Sequence, residues 1–217
     1  ATLGGGSVDR AGSGSGMLTM PIGAIALRGD ASYRRADDVR TPIGTLPNTD
    51  VQTYSLSGGA AAVMPWGHAG AAYRYYDNDY GIPGGFVGGH PGGGDILMKR
   101  HTARGEVEWH REGRTLPRVH LTGGYSNYRH FELESSGAVG TLFRQTQVSG
   151  DLITHVDSSA PLGVGAFGVS ARYRDIHTGG SLRTPSTDDY ALAAYAVEEF
   201  TELRWITVQS GTHPFPF

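Results

Sequence analysis

The sequence contains no cysteine, which removes disulfide frameworks, thiolate metal sites and thiol nucleophiles together. Lysine is nearly absent: of 18 basic residues all but Lys99 are arginine, and they are scattered along the chain rather than clustered. With a net charge of -3, that scatter excludes a phosphate-binding basic surface and gives no nucleic-acid partner. No run of about 18 apolar residues occurs, so no transmembrane helix is expected. Also missing are apolar spacings of three and four sustained long enough for an amphipathic helix. No P-loop, dinucleotide fingerprint, nucleophile elbow or His-Glu-x-x-His is present, and no cofactor is implied. The chain opens at Ala1 without a basic segment or an apolar leader, so a targeting signal is expected to have been removed or to lie upstream.

What is plentiful is glycine, 34 of 217 residues, without a period of three or a Gly/Ser tract, so fibre and linker readings fail. Tyr, Val, Thr and Gly recur in runs with polar residues interleaved, which points to an all-β chain. Met20-Pro21-Ile22-Gly23, Met64-Pro65-Trp66-Gly67 and Ala160-Pro161-Leu162-Gly163 share the form x-Pro-x-Gly of a tight turn. Glu112-Gly113-Arg114 and Thr201-Glu202-Leu203 fall where further turns are due, giving centres near 21, 65, 113, 162 and 202. Between them lie longer polar segments, roughly 37–49, 81–94, 131–141 and 177–188. Ten strands are expected near 8–18, 23–36, 51–63, 68–80, 95–110, 118–130, 142–155, 164–176, 189–199 and 204–209. Long strands with alternating short and long connections are the signature of an outer-membrane barrel.

Alternation supports that expectation. Ile25, Leu27, Ala31 and Tyr33 share one face of their strand, and Arg28, Asp30, Ser32 and Arg34 share the other. The same contrast separates Ala69, Ala71, Tyr73 and Tyr75 from Arg74, Val119, Leu121 and Tyr125 from His120, Thr122 and Ser126, and Phe167, Val169 and Tyr173 from Ser170, Arg172 and Arg174. Lys99 and His101 fall on the nominal apolar face near its loop end, and the strand 189–199 shows no clear face. Tyr33, Tyr75 and Tyr173 toward the long loops, and Trp66, Trp109, Phe200 and Trp205 beside the short turns, suit two interfacial aromatic belts. A lumen-lining set follows: Arg28, Arg34, Arg74, Arg100, Arg104, Glu106, Glu108, Asp151, Arg172 and Arg174.

Several segments resemble the barrel of TonB-dependent outer-membrane receptors. They are Asp30-Ala-Ser-Tyr-Arg-Arg-Ala-Asp-Asp38, Leu46-Pro-Asn-Thr-Asp50, Tyr76-Asp-Asn-Asp-Tyr-Gly-Ile-Pro-Gly84 with the strand Asp95-Ile-Leu-Met-Lys-Arg100 behind it, and Tyr125-Ser-Asn-Tyr-Arg-His130. The likeness runs over roughly residues 7–206. It implies an antiparallel transmembrane β-barrel with short periplasmic turns and long extracellular loops, in the outer membrane of a Gram-negative bacterium and in contact with its lipid. It also implies energised transport of a scarce solute such as a siderophore-iron complex, a metal ion or cobalamin. The plug domain and TonB box of the family have no counterpart here, and His213-Pro-Phe-Pro-Phe217 departs from a closing strand. On that basis residues 1–217 are expected to form part of an incomplete barrel, with TonB engaged through a missing N-terminal region.

The loop 81–94 carries eight glycines and one histidine. His90 is a candidate metal ligand, because imidazole suits zinc, copper, iron and nickel. His90, together with His101, Asp77 and Asp79 beside the loop, is also a candidate to bind a small-molecule or metal-chelate substrate. An alternative is a self-contained ten-stranded protein acting as an omptin-like protease, adhesin or small pore. Against a catalytic role for His120, His155, Asp151 and Glu108, the two histidines fall toward the short-turn end whereas a proteolytic rim belongs at the other, where His130 and His177 with Asp175 lack a paired acidic motif, and enzyme function is not expected.

Overall fold

The computed structural model describes residues 1–85, 92–110, 118–157, 164–182, 184–203 and 206–212, with only the backbone described at 157, 164 and from 198 onward. The strands in chain order are β1 (Thr2–Gly5), β2 (Gly12–Ile22), β3 (Ile25–Ala36), β4 (Arg40–Thr41), β5 (Gly44–Thr45), β6 (Val51–Met64), β7 (Gly67–Ile82), β8 (Gly94–His110), β9 (Arg118–Glu134), β10 (Val139–Asp157), β11 (Val164–Gly180), β12 (Thr187–Leu203) and β13 (Ile206–Thr212). All but β4 and β5 form one antiparallel sheet in chain order, an eleven-stranded meander whose two outer strands do not pair with each other. The small β4–β5 ribbon sits inside the connection between β3 and β6.

The all-β, antiparallel, unclosed architecture expected from the sequence is therefore what forms, with differences in detail. There is an additional strand, β1, and β2 begins later than expected and runs on to Ile22, so the first turn is Gly23–Ala24 rather than Pro21. Pro21 pairs with Ala26 on one side, while β1 pairs only with Gly12 to Ser15, so the missing N–H of Pro21 faces a free edge and breaks no ladder. Pro65 and Trp66 form a two-residue hairpin between Met64 and Gly67, as expected. The turns expected near 113 and 162 lie outside the described residues. At the opposite end the connection after β3 keeps its expected length, while the other three are shorter than expected because the strands run on. The segment 131–141 is reduced to residues 135–138, closed by Gly137 N–H to the Glu134 carbonyl (2.7 Å) and Glu134 N–H to the Ala138 carbonyl (2.9 Å). Tyr, Phe, Leu and Thr in Tyr128–Leu133 and Thr141–Thr146 keep pairing where polarity alone suggested a loop.

Burial is inverted relative to a soluble sheet. In β6, Tyr54, Leu56, Gly58 and Ala60 are exposed while Ser55, Ser57 and Gly59 between them are half-buried. In β9, Leu121, Gly123 and Tyr125 are exposed and Thr122, Gly124 and Ser126 half-buried. The polar face is thus the concave one and the apolar face looks outward. Among the described residues the only buried apolar side chains are Ala36 and Ile96, and no side chain is fully buried. A second sheet that would cover the apolar face is absent among the described residues. Paired residues share a face, so the ladder carries one outward row through Tyr73, Ala103, Tyr125, Val148, Tyr173 and Tyr190. Another passes through Val107, Leu121, Leu152 and Val169, and a third through Trp109, Val119 and Phe167 beside the short hairpins. Tyr73 and Trp109 thus bracket the apolar rows, while Tyr33 and Tyr54 stack farther out with ring centroids 4.8 Å apart. Phe200 and Trp205 of the expected belt have side chains outside the described residues.

Two outcomes follow. With Leu18, Leu56, Leu121, Val169 and Leu192 all at least 46% exposed, the chain should elute as a defined species only in detergent or lipid and aggregate in plain buffer on size exclusion. Gly67 has φ +144°, and a Cβ there would collide with the Glu108 carbonyl oxygen. Gly67→Ala should therefore cost at least about 1 kcal/mol in urea unfolding in detergent micelles. Gly58→Ala, whose nearest neighbour would lie 3.9 Å away, should cost less.

Candidate functional site

The concave face is organised by the same ladder into rows of like residues. One row runs Thr19, Arg28, Gly59, Ala72, Arg104, Gly124, Ser149 and Arg172, so three arginines far apart in sequence stand level on one surface. The next row toward the long connections holds Asp30, Ser57, Arg74, Thr102, Ser126, Gln147, Arg174 and Asp189. Arg100 lies in the row beyond it and Arg34 one farther still. Toward the short hairpins the sign reverses. Glu106, Thr122 and Asp151 share a row, and Glu108 stands between His68 and His120 in the next. The whole lumen-lining set read from the sequence therefore faces the concavity, with arginines at one level and carboxylates with histidines at the other.

Glycine and alanine make the middle of this wall thin. Gly59, Ala61, Gly70 and Ala72 leave a recess between Arg28 and Arg104, part of a cavity of ≈ 710 Å³ that also touches Glu106, Thr122, Ser149 and Asp151. A Cβ at Gly59 would come within 2.8 Å of the Ala71 carbonyl oxygen, so the recess cannot be lined by larger side chains without moving β7. Some of the charges are neutralised locally. The Asp189 carboxylate takes Arg174 at 2.7 Å and Arg172 at 3.2 Å, Ser57 donates to Asp30, and Thr122 donates to Asp151 at 3.2 Å. Glu106 is approached by His68 at 3.6 Å and His120 at 4.0 Å from opposite sides. Among the described residues no carboxylate lies within ion-pair distance of Arg28, Arg34, Arg74, Arg100 or Arg104, so this level keeps a positive excess.

The residues singled out for capture lie elsewhere. His90 is outside the described residues. Asp77, Asp79 and His101 are on the outward face, near the long-connection end. His101 Nδ1 is 2.6 Å from the Tyr73 hydroxyl, and its ring packs against Tyr75 at 5.1 Å. Asp77 accepts the Tyr75 hydroxyl and pairs with Lys99 at 3.4 Å. Asp79 stands three outward rows beyond Tyr73, past the apolar zone. Burial pushes its carboxyl above the usual carboxylate range, assisted by Asp77 and opposed by Lys99, and its Oδ1 is buried without a hydrogen-bond partner. On the concave side, five residues beyond Tyr125, burial pulls the His130 imidazole below its ordinary value against the pull of Glu132. Among the described residues no three His, Asp or Glu side chains converge as metal ligands.

Two groups escape a reading of the sequence alone. Arg129 and Arg144 stand opposite each other on the outward face, in one row with Lys99 and His177. Extending the alternation of Leu121 and Tyr125 by four residues would have exposed Arg129. Asn48 is the other: with φ +59°, it donates from Nδ2 to the carbonyls of Ile82 (2.9 Å) and Gly94 (2.7 Å), tying together the ends of β7 and β8.

No protein-family model matches this chain, and no curated protein matches it by sequence. The fold is similar to that of the alcaligin outer membrane receptor FauA from Bordetella pertussis, with a TM-score of 0.63 at 14% sequence identity. The match covers 94% of this chain and 33% of that one, so the chain spans about a third of the length of the solved receptor it resembles. At that identity the likeness concerns the fold alone.

Proposed function

We propose that the chain is part of the wall of a β-barrel in the outer membrane of a Gram-negative bacterium, and that this barrel takes up a scarce solute in a TonB-dependent manner. The observation that carries the reading is the inverted wall: an exposed apolar convex face with tyrosines at one margin and tryptophan at the other, backed by a charged concave face. Such a surface is stable against lipid on one side and water on the other. The two unpaired outer strands support a longer wall over a self-contained ten-stranded pore or protease, because a barrel in lipid has no open edges. The solved receptor of similar fold is named for alcaligin. For this chain the reading is a receptor whose arginine rows draw an anionic solute, such as a siderophore-iron complex, into the lumen. A metal ion or cobalamin are the other solutes to compare. TonB would act through a segment outside this sequence.

Facing is tested in the full-length receptor. Leu121→Arg or Val169→Arg should weaken folding in bilayers by about 2 to 4 kcal/mol if these positions are near mid-membrane, and Thr122→Arg or Ser170→Arg far less. Equal damage at both pairs would sink the assignment of faces. For transport, replacing Arg28, Arg104 and Arg172 together by Gln should lower uptake of an anionic iron chelate at limiting concentration about tenfold, with receptor abundance unchanged. His90→Ala should lower uptake as well, whereas His101→Ala, which faces away from the lumen, should not. Unchanged uptake of iron chelate, zinc and cobalamin in both the triple-arginine variant and His90→Ala would refute the transport reading of these residues.

A further inference from the structure

The outward face carries a row of cations that neither the lumen nor the sheet explains. Register places Asp77, Lys99, Arg129, Arg144 and His177 side by side on five consecutive strands of the sheet, β7 to β11. Neighbouring strands are about 4.8 Å apart, so the four basic side chains span about 15 Å. The ends of the row have partners: Lys99 pairs with Asp77 at 3.4 Å and His177 with Asp175 at 3.3 Å. The middle does not. Arg129 and Arg144 are exposed, directly opposite each other, and among the described residues no carboxylate reaches either of them. Arg129 lies over the Phe131 ring at 5.4 Å, which orients it without neutralising it. Like charges directly opposite on adjacent strands oppose pairing, so this pair is held at a cost that an outside anion would relieve.

The position of the row indicates the anion. It lies two outward rows beyond the row of Tyr73, Tyr125 and Tyr173, with Tyr75, His101, Asn127, Thr146 and Asp175 between, the last of these already paired with His177. Tyrosine rings of a membrane protein mark the headgroup level, so side chains just past them reach the depth of lipid phosphates. Guanidinium groups suit phosphate through paired parallel N–H donors. The polar row beneath adds further hydrogen-bonding groups, with Asn127 already turned to Thr146 at 3.1 Å. We propose that Arg129 and Arg144, supported by Lys99 and His177, form a binding site for a phosphate-bearing lipid headgroup in the leaflet at the long-connection end of the wall. This rests on the membrane reading given above. The concave arginines face water and have no such contact.

The test uses the full-length protein in nanodiscs of zwitterionic phospholipid doped with a bisphosphorylated diglucosamine glycolipid, with retained lipid counted by native mass spectrometry. The expected result is retention of that glycolipid, with at least about tenfold less of its dephosphorylated form and a similar loss for the Arg129→Gln/Arg144→Gln double variant. A concave-face control of equal charge change, Arg34→Gln/Arg74→Gln, should stay within about twofold of the unchanged protein. In detergent free of anionic lipid the double variant should unfold no earlier than the parent, because the substitution removes a repulsion rather than a structural contact. Equal retention by the double variant, equal retention of the dephosphorylated glycolipid, or full release by inorganic phosphate would overturn the proposal. A protein that inserts into the nanodisc and retains no glycolipid refutes this site alone, whereas one that never inserts refutes the membrane reading together with it.

Discussion

Cross-strand backbone pairing is the interaction on which everything else in this molecule depends. With only Ala36 and Ile96 as buried apolar side chains among the described residues, no core of theirs fixes the position of one strand against the next. The register from β2 to β12 does so through long ladders, broken only by an irregularity between Val139 and Thr141, with strands of seventeen residues at β8, β9, β11 and β12. A slip of one residue would send every arginine of the concave face outward and every leucine inward. Since such ladders are strongest where water does not compete, the environment that the exposed apolar face demands is also the one in which the ladder is most stable.

The charge pattern inherits its order from that register. Arg28, Arg104 and Arg172 have no relation in the linear sequence, yet pairing sets them level, and the same operation collects Glu106 and Asp151 beneath them. A solute moving along the concave face would meet a positive level and then a negative one flanked by imidazoles. Asp189 offsets part of the positive level by accepting from Arg172 and Arg174 together, while Arg28 and Arg104 flank the recess floored by glycine and alanine. The thinness of that floor is what gives the charges room to act on something other than each other.

How much was legible in the sequence depended on contrast between alternate residues. Strands such as β3, β9 and β11 display aliphatic or aromatic residues against arginine, serine and threonine, and their faces could be read directly. In β12 the run Tyr190 to Val197 is rich in alanine on both sides, and only pairing with β11 assigns Tyr190 and Leu192 to the outside. The connection at 131–141 reads as longer than it is because Glu132 and Glu134 look like loop residues, though both lie on the concave face of a continuing strand. β1 is four residues, half of them glycine, and carries no alternation to detect. Arg129 and Arg144 show a different limit: each is unremarkable alone, and their juxtaposition exists only in the register.

Asn48 holds the feet of β7 and β8 at the point where the chain leaves the wall for the connection 83–93. Nearby, the Gly81 N–H donates to the Asp50 carbonyl at 3.0 Å, and Thr49 is fixed by Asp38 at 2.7 Å, so the brace is itself anchored in the preceding connection. A segment with both ends tied in this way is mechanically separated from the strands that bear it. Lengthening, shortening or recomposing residues between the feet would leave the wall where it is. Residue change at this corner can therefore proceed without renegotiating the fold.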